Sequence, residues 1–505
     1  VRRPAIAEVV VVGAGFGGLG AALALAERGA RPVVVEALTY PGGCASTFRR
    51  AGFRFEAGAT LCAGFAPGQL FHRWIARHGL DVRTDRIDPV VDLRTPDLRL
   101  EVPAERARFV ARMLGLPGAP VERLRAFLDE QDRVATTMWG LLDDPALLPP
   151  LSPAAVLRHL ASAPRYAALT RVAAQPLASV LRRHRVDGFA PLRAYLESFA
   201  QITVQCGVEE AEAPVALATA DYPFRGAAHV QGGVGRLADG LVAAIRGLGG
   251  EVRFATRAVS IGRADGLWRV ATSRGDIDAP AVVANVLPQS LGGLLGLAPR
   301  EDDGLARLAA EVEGGWGAVM LYLVVRAPRG ATPAALHLDL TDDPSAPYVE
   351  GNHVFASISA ADDTGRAPEG CRTMTVSTHV RVADLRRLDE AGRAARIAAI
   401  QRRMRATLDR LAPEWTADVV HGMTASPRTF ERFTFRPHGL VGGVPRRAGW
   451  HNYRGLAPVE VRPGLWLAGD SVFPGQSTLA AAIGGTRVAE AVVRSGRVEL
   501  QESLR

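Results

Sequence analysis

Hydrophobic residues fall into distinct patterns along the chain. Unbroken apolar runs at residues 9–12, 33–35 and 465–468 are each closed by a glycine or an acid. They predict strands buried on both faces, as in a parallel sheet held between helices. Alternating runs at residues 318–325, 336–340, 354–358 and 373–378 predict instead an antiparallel sheet. Helical stretches separate the runs. One is rich in alanine and leucine and stops near Gly29, and one is opened by Gln231 and continues through Ile245. Two more cover residues 391–411 and 480–493. Two further strands are expected at 251–254, after the Gly249-Gly250 turn, and at 258–261. In chain order, residues 1–75, 221–300 and 441–505 read as one discontinuous α/β domain. It is interrupted by a mostly helical region, 76–220, and by a sheet-plus-helix region, 301–440. A chain of this length fits roughly two to four domains, and no internal repeat or low-complexity tract breaks the pattern.

The first strand runs into Gly13-Ala14-Gly15-Phe16-Gly17-Gly18, then a helix, then a second strand ended by Glu36. In such a unit Gly13 permits the tight turn, Gly15 lets a pyrophosphate approach the backbone, and Gly18 allows close helix packing. The helix amino terminus faces the phosphates, and Glu36 is placed to accept hydrogen bonds from ribose hydroxyls. The expected fold is therefore Rossmann-like. This unit also accounts for an uncharged stretch of eighteen residues from Val9 to Ala26, which otherwise has the length of a membrane span. Arg2 and Arg3 ahead of it imitate a secretory leader, but no small-residue cleavage site ends the run.

Two further segments specify the dinucleotide. Tyr40-Pro41-Gly42-Gly43-Cys44-Ala45-Ser46-Thr47 and Gly52-Phe53-Arg54-Phe55-Glu56-Ala57-Gly58-Ala59-Thr60 resemble the extended amino-terminal signature of FAD enzymes in the amine oxidase and phytoene desaturase superfamily. The run Gly464-Leu465-Trp466-Leu467-Ala468-Gly469-Asp470, continuing through Ser477-Thr478-Leu479, resembles the carboxy-terminal FAD signature of carotenoid desaturases and isomerases. Segments 426–433 and 439–445 look like the carotenoid 3,4-desaturase and isomerase branch. The usual superfamily member has arginine after the Gly-Gly pair. Here Cys44 takes that place, as a small buried residue rather than a reactive thiol, so the loop itself offers the phosphates no arginine; the isomerase-like branch also departs from arginine there. The resemblance implies FAD as cofactor, held by Gly13, Gly15, Gly18, Glu36, Gly42, Gly43, Ser46, Thr60, Val259, Gly469, Asp470, Gln476, Thr478 and Leu479. It implies that the Val259 backbone meets the adenine edge, although its side chain could equally be core. Asp470 would bind the ribityl or phosphate region, or else cap the following helix. That helix would support negative charge at the flavin.

Composition narrows the chemistry. All 60 basic residues are arginine, against 52 acids. Without lysine there is no Schiff base, phosphate-loop lysine or kinase-type lysine. Many amine oxidases hold a water at flavin N5 with a lysine, so its absence also weighs against amine oxidation. Four dispersed cysteines suggest neither disulfides nor a zinc ribbon and fit a reducing cytoplasm. No His-x-x-x-His pair points to a metal, and the run after Gly469 lacks the last glycine of a nucleophile elbow. Of the net +8, six charges lie in residues 145–186, where six arginines meet no acid. With Leu169, Val172, Val180 and Leu181 near helical spacing, this segment suits an anionic membrane surface, or else is a solvated lid face. No nucleic-acid module accompanies it.

The activity implied by the resemblance is desaturation of a carotenoid or related polyene or isoprenoid by hydride transfer to flavin N5. With a single dinucleotide fingerprint, quinone or oxygen would reoxidise the flavin. The expected location is cytoplasmic and peripherally membrane-associated. The rivals are a non-redox cis-trans isomerase that uses reduced FAD, an amine oxidase, and a non-enzymatic escort of lipid groups. No catalytic base stands out: Glu56, His229 and Gln476 lie in motifs near the flavin but read as cofactor support or packing.

Overall fold

The computed structural model describes residues 5–58, 60–298, 303–498 and 500; Arg2, Arg3 and Ala59 lie outside them. The predicted parallel sheet is present. Its six strands run Glu251–Arg253, Pro32–Val35, Val9–Val12, Val282–Ala284, Leu465–Leu467 and Val459–Arg462, parallel except for the last pair. Every residue of Val9–Val12 is buried, as an unbroken valine run between two helical layers requires. Three distant stretches of sequence thus form one sheet, which makes the α/β domain discontinuous as expected.

The helix Phe16–Ala26 is buried along its whole length and lies against the carboxy-terminal helix Thr478–Arg494. Small residues allow this contact. A Cβ on Gly485 would sit 2.1 Å from the Gly17 carbonyl oxygen, and one on Gly20 would sit 2.6 Å from that of Ala482. The two helices that flank the cofactor turns therefore pack backbone to backbone.

The second sheet contains the expected strands as Trp316–Arg326, Leu336–Thr341, His353–Ile358 and Cys371–Arg381, and the helix at 391–411 appears as Glu390–Leu411. It is not wholly antiparallel. Val91–Thr95 pairs in parallel with Leu336–Thr341 and brings Leu98–Val102 with it. The region 76–220 is therefore helical except for a hairpin that extends its neighbour's sheet and the short strand Thr84–Arg86, which pairs with Ala228–Val230. One sheet face is apolar: Val319, Leu338 and Val376 pack with Ile400, Met404 and Leu408 of the long helix. The other face looks toward the helical region and the site.

The basic segment differs from its predicted form. Val172, Val180 and Leu181 are buried in the helical core, because their spacing fits the inward face of short helices. The exposed apolar side chains precede them: Leu151 and Val156 are 42% exposed, Leu157 and Leu160 67%. Arg158, Arg182 and Arg183 pair with Asp144, Glu209 and Glu130. Among the described residues, no helix is long and apolar enough to cross a membrane.

Candidate flavin and substrate site

One cavity of about 840 Å³ runs from the glycine turn to the second sheet. Gly13, with φ +96°, turns the chain out of the first strand, and a Cβ there would meet the Asn285 carbonyl oxygen at 2.8 Å. Gly18 packs behind the turn, where a Cβ would fall 2.0 Å from the Gly13 carbonyl oxygen. Gly15, Gly42 and Gly43 line the cavity, so backbone rather than side chain faces its contents. This cradle, at the amino end of a helix whose first N–H groups have no partner within the helix, fits a pyrophosphate.

Glu36 closes the end of the cavity beside the second strand. Its carboxylate accepts from the amides of Ala14 (2.7 Å) and Leu38 (2.8 Å), which fixes it at the tip of its strand. Burial is the main influence on its pKa and raises it despite these bonds. Each carboxylate oxygen keeps a lone pair for a ribose hydroxyl. Val259 is 55% exposed and lines the cavity, so its side chain is not core.

At the middle of the cavity, Gly469 ends the strand at φ +110° and Asp470 follows. Asp470 does not cap the next helix. Its Oδ2 lies 2.9 Å from Nη2 of Arg436, and Ser477 Oγ accepts from the Ala480 amide at 3.0 Å as the cap. Ser477 holds φ +110°. For a residue with a side chain that conformation is strained, and such strain collects at functional turns. It sets the amino end of the helix, with Thr478 and Leu479, into the cavity wall. Gln476 lines the wall while its Nε2 donates to the carbonyls of Ile202 and Thr203, tying the turn to the helical region. Thr60 also lines the cavity. Ser46 does not; it is buried behind the Gly42-Gly43 turn.

The far end is largely apolar. It is walled by Met138, Trp139 and Leu142, by Ile202 and Val215, and by Met320 and Phe355 of the second sheet. His379 and Ser377 interrupt this wall. Burial holds His379 down at about pKa 4, with a smaller contribution from His353.

Sequence reasoning missed three residues. Asn285, one of three asparagines, follows the buried strand Val282–Ala284 and lies under Gly13, Gly15 and Gly469. A lone polar residue closing an apolar strand was the available signal. Arg436 and His379 carried none, since each sits in an ordinary local context. Glu56 and His229 prove to be structural. Glu56 accepts from Arg366, Thr47 and the Val234 amide, and His229 lies 3.1 Å from Asp363. Cys44 is half-buried, with its thiol pKa pushed up by burial. No cluster of metal-ligating side chains occurs among the described residues.

Residues 16–493 match the family described as flavin containing amine oxidoreductase. The chain belongs to that family. It is 25% identical over 517 residues to prolycopene isomerase 1 of an Oncidium hybrid cultivar, covering 97% of this chain and 84% of that protein. It is 27% identical over 526 residues to hydroxyneurosporene desaturase of Cereibacter sphaeroides, covering 97% and 98%. Among solved structures, an oxidoreductase from Methanosarcina mazei aligns with TM-score 0.63 at 15% identity, covering 96% of this chain and all of that one. Wild-type putrescine oxidase bound to putrescine aligns with TM-score 0.62 at 16% identity, covering 97% and 100%. These two share the fold. Family and fold together make the protein an oxidoreductase-type flavoenzyme.

Proposed function

We propose that the protein binds FAD and introduces double bonds into a long polyene of the carotenoid class. The observation that carries this reading is the single cavity joining a dinucleotide cradle to an apolar pocket. FAD, when bound there, supplies a hydride acceptor. The chain's own part is positioning and exclusion of water. Trp139, Met320 and Phe355 offer a conjugated hydrocarbon dispersion contacts and no hydrogen bonds. The amino end of the helix Thr478–Arg494 favours developing negative charge beside it.

Loss of hydride from an allylic carbon leaves a delocalised cation that must then lose a proton. His379 stands in the wall to accept it. A base of pKa about 4 suffices, because burial keeps the ring neutral and the cation is a far stronger acid. His379→Gln should lower turnover by roughly a hundredfold, the small end of acid–base effects, with FAD affinity unchanged. Unchanged turnover would remove His379 from the chemistry.

The similarity to prolycopene isomerases along nearly the whole chain favours a second reading, cis-trans isomerisation without net redox change. Anaerobic incubation with a polyene separates the two. Desaturation bleaches the bound flavin in proportion to product, whereas isomerisation proceeds only after prior reduction. A purified protein that is colourless and cannot be loaded with FAD would defeat both. Lack of lysine disfavours amine oxidation. The exposed leucines at 151–160 are the proposed contact with an anionic bilayer, from which an apolar substrate would enter beside Leu142. Quinone or oxygen is the proposed final electron acceptor.

A further inference from the structure

A pyrophosphate brings concentrated negative charge into a cavity, and a cation within reach stabilises it more than backbone amides do alone. The position after Gly42-Gly43, where the superfamily usually has arginine, holds Cys44. Arg436 enters the same space from the other side. It lies on the loop between the helix Pro427–Thr434 and the short strand Leu440–Val441. Its guanidinium bonds Cys44 and pairs with Asp470 at 2.9 Å, so it bridges the two turns that frame the middle of the cavity. Nε donates to the Leu440 carbonyl at 2.7 Å, and Nη2 also reaches the Gly442 carbonyl. The loop is clamped here, since a Cβ on Gly443 would fall 1.8 Å from the Asp470 carbonyl oxygen. Arg436 is thus held in place before any ligand arrives.

The other two arginines of the wall make their contacts away from the Cys44 turn. Arg257 lies over the Phe435 ring at 4.5 Å, beside Val259 at the adenine end. Arg446 donates to the Pro474 carbonyl at 3.1 Å. We propose that Arg436 supplies the cation that contacts the FAD pyrophosphate, replacing from a remote loop the arginine that this chain lacks at Cys44. The proposal rests on the FAD reading above and adds to it a residue that no signature contains.

The test measures FAD affinity of the apoprotein by titration calorimetry, with a denaturant midpoint for each variant as a check on folding. Wild-type protein that binds no FAD refutes the cofactor reading itself. If wild type binds, Arg436→Gln should weaken FAD by about 10- to 100-fold, the range for a charge-assisted contact. The double variant Cys44→Arg/Arg436→Gln, which returns the cation to the usual position, should recover affinity to within about threefold of wild type. Arg436→Gln that binds FAD as tightly as wild type overturns the proposal and leaves the cofactor reading standing. A double variant as weak as the single one also overturns it, by showing that Arg436 acts only through loop structure. If Arg436→Gln fails to fold, the double variant decides alone. Tight FAD binding supports the proposal, and weak binding or misfolding rejects it.

Discussion

At the glycine-turn end of the cavity backbone meets backbone, with Gly13 and Gly18 each where a Cβ would fall within 3 Å of a carbonyl oxygen. At the far end side chains meet empty space, and Met138, Trp139, Met320 and Phe355 come from elements distant in sequence. One end is fixed by the absence of atoms at particular positions and the other by a summed volume of apolar ones. The first kind of construction tolerates almost no substitution. The second tolerates many.

That contrast breaks most sharply at Gly18. In Gly18→Val the new side chain would meet the Gly13 carbonyl oxygen, with rigid backbone on both sides. The expected cost is about 4 kcal/mol or more, with loss of FAD binding, read as a denaturant midpoint and as flavin absorbance. Met320→Leu, a near volume-conserving change at the other end, should cost less than about 1.5 kcal/mol and leave flavin content unchanged. Comparable damage from the two would remove the distinction.

The same contrast explains what could be read from sequence. Val9–Val12, the glycines that follow and Glu36 fix their geometry through residues adjacent in the chain, so a local pattern sufficed. The hairpin Val91–Thr95 and Leu98–Val102 was lost in the helical region because its partner strand lies far along the chain. Arg436 reaches Asp470 only through folding, and its neighbours Phe435 and Pro437 give no hint of a phosphate. The buried face of the basic segment was misread for a related reason. Helical spacing at Val172, Val180 and Leu181 marks an apolar face but does not say which side of the helix is wet.

A smaller effect concerns the sheet face turned toward the cavity. His337 is buried, donates from Nδ1 to the Val90 carbonyl at 3.0 Å, and is held by burial at about pKa 4; His229 and Arg366 disfavour its charge further. In the unfolded chain a histidine titrates near pH 6.5. As pH falls from about 6.5 to about 4 the unfolded state takes up a proton that the folded state refuses, so stability falls through that window. The loss is roughly 3 kcal/mol for a shift of this size. His379 adds a parallel contribution once the cavity is dry. Urea midpoints between pH 7 and pH 4.5 should show the decline, and His337→Gln should flatten it. An equally steep decline in that variant would assign the acid sensitivity to other groups.

The smallest effects are expected on the surface beside the apolar end. Leu157 and Leu160 are each 67% exposed on the helix Pro153–Ala161, with Leu151 and Val156 close by in sequence. Arg165 and Arg171 follow and have no ion pair among the described residues, whereas Arg158, Arg182 and Arg183 do. If this surface docks on lipid, its contributions should follow that order. Leu157→Ser with Leu160→Ser removes two leucines, each able to gain about 1.5 kcal/mol or more on full burial, and should weaken partitioning onto anionic vesicles by about 10- to 100-fold. Arg165→Gln with Arg171→Gln removes about 1 kcal/mol per charge and should weaken it by about 10- to 30-fold, an effect that salt abolishes in the wild type. Arg182→Gln should do least, because Glu209 already neutralises that charge. Flavin content and thermal midpoint should hold throughout, since none of these side chains supports the core. Co-sedimentation that ignores the leucines, or that falls equally for paired and unpaired arginines, would leave the apolar end of the cavity without a lipid surface to feed it.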